Sequence, residues 1–497
     1  MKARGGSGSV GIIGGGMGSI SAATYLAKDG FNVTIYEKNE RLGGRANIIE
    51  KNGFRFDVGP SLLNYPWVFE ELFAAAGENL NDHLELIKID TGVKFLWDDG
   101  ETFSVTSDYP SLSQEVSRLE NSNINGLQSF LKINSARYKT AFEKLLNTNL
   151  DSPFKWGARL GLKELSSGSM FKSMNSDLNK HFKSKYIKEA FGSYAMYLGG
   201  SPYKIPGFFS ILPYGEIAYG LWMPKGGIYS LIEKLEELLI KNNVSIKKDY
   251  EISEIVVNEK NEVKGIINNY GNFSPHKFII SNVDLATTNE KLIKKKYAQD
   301  FEKVQMTPSV MTFYWGIKKE TKFPHHMIFL PNDYKSCFED LFYNKKFSEG
   351  MPFYTSSPST SDISLSPKGK STMFVLVPLP VTEKNNQKNI YSKDINKIRD
   401  KVFKKFSKHN IDLSKKDIEF EKVFTPDEWK NKFGLYKTSA FGSSHNLFNI
   451  GPFRHRNKSR NIKGLYFVGA STNPGTGLPM VTISGKLVSE RIKNDIS

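Results

Sequence analysis

Residues 9–45 read SVGIIGGGMGSISAATYLAKDGFNVTIYEKNERLGGR. Few folds accept that order of short apolar run, glycine turn, small-residue helix and second apolar run. Val10-Gly11-Ile12-Ile13 has the length of a buried parallel strand and runs directly into Gly14-Gly15-Gly16-Met17-Gly18-Ser19. From Ile20 to Lys28, Ala22, Ala23, Leu26 and Ala27 recur at helical spacing, and Gly30 supplies the left-handed stop. Val33-Thr34-Ile35-Tyr36 predicts a second strand, which ends on Glu37.

This strand–turn–helix–strand unit has a specific use. Gly14 permits the tight turn and Gly16 lets backbone approach a pyrophosphate, at which the new helix directs its free N–H groups and positive dipole end. Glu37 comes 37 − 14 = 23 positions after the first glycine. That is close to the roughly 20 expected of a carboxylate that accepts hydrogen bonds from an adenosine ribose, and it leaves no room for a 2′-phosphate. The third glycine position is Ser19, small enough for close helix–strand packing. A further glycine pair and cation, Arg41-Leu42-Gly43-Gly44-Arg45, resembles the second signature of FAD-binding oxidoreductases of the glutathione-reductase and amine-oxidase type.

A chain of 497 residues is too long for one core, so two intimately joined domains are expected. The single cysteine, Cys337, excludes an internal disulfide and a cysteine-rich metal site and points to a reducing compartment. No metal site is expected; His325-His326 reads as a surface or packing pair. The formal charge of +16 fits nucleic acid, an anionic membrane surface or a lysine-rich soluble surface. Nucleic acid is the poorest of the three, because the cations are spread along the chain with no helix-turn-helix, zinc or RNA-recognition pattern. No apolar run reaches the roughly 18 residues of a membrane span. Residues 1–9 lack the apolar centre of a secretion signal.

Farther along, Asn47 to Phe56 alternates as a strand and leads into Asp57-Val58-Gly59-Pro60-Ser61-Leu62, a turn that brings backbone over the first loop. Residues 84–106 are strand-rich, with Asp99-Gly100 at a hairpin turn. Between Lys155 and Lys188, Lys155, Arg159, Lys163, Lys172, Lys180, Lys183, Lys185 and Lys188 interleave with Phe154, Trp156, Leu160, Leu162, Leu165, Met170 and Phe171. Such a stretch suits either an interfacial helix on anionic lipid or a solvated face over a core. Residues 194–227 are apolar, aromatic and broken by Gly and Pro, which fits the wall of an elongated cavity or a buried connection. Near the end, Gly464 to Gly469 predicts a buried strand running into Ala470-Ser471-Thr472-Asn473-Pro474-Gly475-Thr476-Gly477-Leu478-Pro479 and then a helix, Met480 to Ile492. This second strand–glycine-loop–helix directs another dipole at the site.

The motifs FDVGPSLL (56–63), GGSPYKIP (199–206), WMPKGG (222–227), SNVD (281–284), PFYTSSPSTSD (352–362), FVLVPLP (374–380) and GASTNPGTGLPMV (469–481) resemble the carotenoid desaturases, the family of phytoene and dehydrosqualene (diapophytoene) desaturases. That resemblance runs over nearly the whole chain. It implies an α/β fold with a Rossmann-like FAD-binding domain, an antiparallel-sheet substrate domain and a helical membrane-facing region. The corresponding division is 1–110, 215–310 and 441–497 for the FAD domain, 111–214 for the helical region and 311–440 for the substrate domain.

By the same resemblance, Gly14, Gly16, Gly43, Gly44, Arg45 and Gly469 hold the pyrophosphate and Glu37 the ribose. Ile252 meets the adenine, while Gly59, Pro60, Ser61 and Leu62 with Pro479, Met480 and Val481 flank the isoalloxazine. Gly18, Ser19, Lys38 and Ala470 complete the cofactor-binding set. Asn473 stands where many relatives carry histidine. The implied activity is FAD-dependent desaturation of a long isoprenoid, with quinone or oxygen as electron acceptor, at the cytoplasmic face of a membrane in monotopic association. An isomerase, a diapocarotenoid oxygenase or a non-redox prenyl-binding protein of the GDP-dissociation-inhibitor type are the alternatives. No catalytic residue is assigned; Glu216 and Asp284 lie near the motifs, and each reads as structural sooner than as a proton acceptor.

Overall fold

A computed structural model describes residues 8–381 and 394–496; residues 1–7 of the N-terminal stretch read above lie outside it. A five-stranded parallel sheet is ordered 465–467, 278–281, 9–13, 32–36, 245–247. Val10 pairs with Phe278 on one side and Val33 on the other, so the first strand is central. Three helices, Met17–Lys28, Tyr229–Lys241 and Leu478–Asn494, cover one face. A three-stranded antiparallel sheet, 252–257, 263–268 and 273–275, covers the other. Burial on both faces explains why the strands 9–13, 278–281 and 465–467 read as largely apolar runs. The first and last helices touch at Gly485, where a Cβ would stand 2.6 Å from the Ala22 backbone nitrogen.

The second sheet has seven strands, ordered 418–424, 309–317, 371–379, 353–356, 326–330, 93–97, 102–105. All neighbours are antiparallel except 326–330 with 93–97. The helix Ile395–Lys408 seals its outer face with Ile398, Val402 and Phe406. The expected hairpin at Asp99-Gly100 forms, but its strands pair with this sheet, whereas a boundary at residue 110 assigns them to the cofactor domain. Strand type is a local property and partner choice is not.

Asn47–Lys51 and Phe54–Val58 form a hairpin where one strand was expected. Asn52 and Gly53 both take positive φ, the requirement of a two-residue turn of mirror-image type. Residues 109–219 are mostly helical, and the basic stretch is broken into the short helices Pro153–Leu160, Leu162–Ser167, Met174–Leu178 and Lys185–Ser193. No helix among the described residues is long and apolar enough to cross a membrane.

The motifs behind the resemblance are joined to one another. The Asp57 carboxylate accepts hydrogen bonds from the Ile228 and Tyr229 amides at 2.6 and 2.8 Å, at the start of the helix that follows WMPKGG. Asp362 accepts from the Gly226 amide at 2.7 Å.

Candidate functional site

One cavity of about 840 Å³ gathers segments from the whole chain. At one end it is lined by Gly14, Gly16 and Gly18, by Glu37 and Lys38, by Gly43, Gly44 and Arg45, and by Ile252. Gly59, Pro60, Ser61 and Leu62 follow, then Gly469, Ala470, Pro479, Met480 and Val481. Ser19 is the exception among the expected residues. It is fully buried beneath the loop, where its hydroxyl donates to the Gly14 carbonyl and the small side chain lets the helix sit against the strand.

The glycines fit by close approach. The Gly43 amide donates to the Gly15 carbonyl at 2.8 Å, so the second glycine loop lies on the first. At Gly43, with φ +105°, a Cβ would stand 2.0 Å from the Ala46 carbonyl oxygen. Asn282 ties the two ends of the chain together. A Cβ at Gly16 would lie 2.4 Å from its Oδ1 and one at Gly469 2.9 Å from its Nδ2. That Nδ2 donates to the Val468 carbonyl at 3.0 Å. The helix beginning at Met17 has no side-chain cap and no acid in its first turn, so its amides stay available to an anion.

Glu37 is buried, and its Oε2 accepts from the Gly15 amide at 2.6 Å while Oε1 accepts from the Asn39 backbone at 2.8 Å. Lys38 lines the cavity but its Nζ donates to the Asn431 carbonyl at 2.9 Å. Arg45 donates to the Ala440 carbonyl. Asp284 also lines the cavity and accepts from the Ser471 hydroxyl at 2.9 Å. Burial pushes its carboxyl up, against the pull of Ser471 and Arg45. Glu216 is not among the lining residues; its Oε1 accepts from the Tyr194 hydroxyl at 2.6 Å, and burial raises its carboxyl to about 8. It is therefore neutral at physiological pH and a structural group.

A backbone cradle, a buried carboxylate bonded to it and a distant third glycine loop meeting the first make a fit to a dinucleotide. The model of the flavin-containing amine oxidoreductases matches residues 20–493. The chain belongs to that family. FAD is accordingly the cofactor of this oxidoreductase. Among characterised proteins it is 33% identical over 487 residues to the zeta-carotene-forming phytoene desaturase of Myxococcus xanthus, covering 97% of this chain and 93% of that one. It is 30% identical to the 4,4'-diapophytoene desaturase (4,4'-diapolycopene-forming) of a Methylomonas species, covering 97% and 95%. A putrescine oxidase structure superposes with a TM-score of 0.63 at 12% identity, covering 98% and 99%, which shows the shared fold.

Sequence reasoning missed two buried groups in the oxidoreductase. Arg454 is fully enclosed and donates to the carbonyls of Thr472 and Asn449 at 3.0 Å, Ser443 and Ser444 at 3.3 Å, and Ala470. It fastens the loop after Gly469. Burial brings its guanidinium down to about 9, still charged at neutral pH. His445 lines the cavity, its Nδ1 3.2 Å from the Leu198 carbonyl and its Nε2 3.4 Å from the Thr476 amide. Burial holds it well below the ordinary histidine range, so it is neutral. Neither residue belongs to a short motif; each is placed only by the fold. The His325-His326 pair is buried, not on the surface. No group of three or more His, Cys, Asp or Glu among the described residues is arranged to hold a metal.

Proposed function

We propose that the chain desaturates a long linear isoprenoid such as phytoene or dehydrosqualene, with the new double bond extending a conjugated system. The observation that carries this reading is an apolar part of the cavity wall. Phe142, Leu145, Trp156, Met170, Phe208 and Ile450 form it and belong to one hydrophobic cluster. An amine substrate finds little there to pair with; a hydrocarbon chain does.

FAD, when bound, supplies the hydride acceptor for an allylic carbon. The protein's part is to hold Gly59–Leu62 and Pro479–Val481 against the reacting centre, to exclude water with the aromatic walls, and to orient one carbon–hydrogen bond. Allylic character makes that bond reactive, because the positive charge left behind is spread over neighbouring double bonds.

The same region supports contact with a lipid surface. Phe154, Leu162, Phe171 and Phe448 are 90%, 86%, 71% and 82% exposed, far beyond what a scattered surface residue requires. Gly451 packs on Trp156, which seats the turn that bears Phe453 against the helix Pro153–Leu160 that carries Phe154. Lys155, Arg159 and Lys172 stand on the same stretch and suit anionic headgroups. A substrate dissolved in the bilayer then enters without crossing water, and the protein stays on one side of the membrane. A quinone or dioxygen would serve as the final electron acceptor.

Expression in a host that accumulates phytoene or dehydrosqualene tests the reading. Pigments with a longer absorbing chromophore are expected; oxygenated or merely isomerised products, or none, would overturn it.

A further inference from the structure

We propose that Tyr354 and His326 form a relay that takes up the proton released in the desaturation, with Ser61 fixing the tyrosine; the proposal rests on the reading above. Ser61 and Tyr354 both line the cavity, and their hydroxyl oxygens are 2.7 Å apart. The Tyr354 oxygen is also 2.7 Å from Nδ1 of His326, which is completely buried. The sheet produces this contact. Strand 353–356 pairs with 326–330 so that His326 faces Ser356 and Ile328 faces Tyr354, which puts His326 and Tyr354 on one face as diagonal neighbours.

Behind His326 lies His325, with ring centres 4.2 Å apart, and Nδ1 of His325 is 2.7 Å from the hydroxyl of the partly exposed Ser361. The polar line thus runs from the cavity wall toward the surface. Nothing in the packing of the second sheet calls for two adjacent buried imidazoles, each with an Nε2 that has no hydrogen-bond partner. Burial holds both below the ordinary histidine range, so His326 is neutral at pH 7. A weak base is sufficient here, because a carbon–hydrogen bond beside an allylic cation is strongly acidic.

The step balances as follows. Hydride transfer to the flavin is reversible until the neighbouring carbon–hydrogen bond breaks and its electron pair becomes the new π bond. The proton passes to the Tyr354 oxygen while the hydroxyl's own proton moves to Nδ1 of His326. The substrate has been oxidised by two electrons. A quinone or dioxygen later takes the two electrons from the cofactor and recovers this proton from the imidazolium. Tyr354 meets the substrate; His326 acts through it.

Two measurements test the relay. Nitrogen-15 spectra of the FAD-loaded protein, with the His326 signal assigned by its loss in His326→Gln, are expected to show the Nε2–H tautomer with Nδ1 as an acceptor, and a shift of that Nδ1 signal in Tyr354→Phe. A protonated Nδ1 in the neutral ring would overturn the proposal. This needs no substrate, so it decides the relay even if the chain acts on another hydrocarbon. In anaerobic single-turnover reduction of the bound flavin, Tyr354→Phe should retain FAD yet slow by about 100-fold. It should also acquire a primary isotope effect from deuterium at the proton-losing carbon. A variant that holds FAD, reduces it within about twofold of wild type and shows no new isotope effect would also overturn the relay. Failure of the wild type to desaturate would instead remove the reading on which the relay's chemistry rests.

Discussion

The backbone amide of Gly15 donates to the Glu37 carboxylate at 2.6 Å, so the glycine loop and the acid that closes the second strand are one hydrogen-bonded unit. Glu37→Ala leaves that amide and the two donors of Asn39 without their acceptor and removes the acceptor for the sugar hydroxyls. A loss of roughly 1.5–3 kcal/mol is expected for hydrogen bonds to a charged group. FAD affinity, read by fluorescence titration of the apoprotein, should fall by at least tenfold. Undiminished affinity would remove Glu37 from the ribose site.

Arg454 binds five carbonyls from three stretches of chain and is buried among them. Arg454→Met should destabilise the protein by more than about 3 kcal/mol, since it strands several buried acceptors at once. The denaturant midpoint should drop and FAD should dissociate earlier in the transition. A midpoint close to wild type would show that the loop after Gly469 is held by other means.

Glu216 predicts a pH effect whose sign follows from its shift. Burial raises its carboxyl from 4.5 to about 8, so the folded state binds the proton more tightly than the unfolded one. The resulting stabilisation is complete below 4.5 and is lost as pH rises through about 8. Glu216→Gln, which keeps an acceptor for the Tyr194 hydroxyl without an ionisable group, should flatten the stability profile across that window. At the alkaline end it should be more stable than wild type by an amount on the order of a few kcal/mol. Parallel profiles for the two proteins would contradict the assignment.

The exposed apolar side chains, not Lys180, Lys183 and Lys185, should govern vesicle binding. Lys180 is paired with Asp177 at 2.9 Å and Lys185 with Asp99 at 3.3 Å, and the Lys183 amide is held by Glu120. Replacing Phe154, Leu162 and Phe171 by Ser should weaken sedimentation with anionic liposomes by at least tenfold, each side chain contributing on the order of 1 kcal/mol or more. Replacing Lys180, Lys183 and Lys185 by Ala should have a smaller effect. The reverse order would return the contact to the lysines.

Much of the cofactor site was legible because its physics is local. Turn, close approach and helix start fall within a dozen residues around Gly14, and the same grammar repeats at Gly469. Ser19 shows the limit of that grammar, since a motif position can serve packing beneath the loop without facing the cavity. Tyr354 and His326 lie far apart in sequence and meet through strand register, which no local pattern encodes. Asp57 and Asp362 stood inside quoted motifs, yet the amides they hold became visible only once the chain was folded. Asn52-Gly53 is a different case: its turn chemistry was present in the sequence and was outweighed there by the alternation on either side.

The parallel sheet takes its edge strand from residues 465–467, and the helix Leu478–Asn494 packs on the helix Met17–Lys28. During synthesis, therefore, the dinucleotide pocket stays open on one side until that last helix has cleared the ribosome. A nascent chain stalled before residue 465 should hold no flavin and emerge colourless.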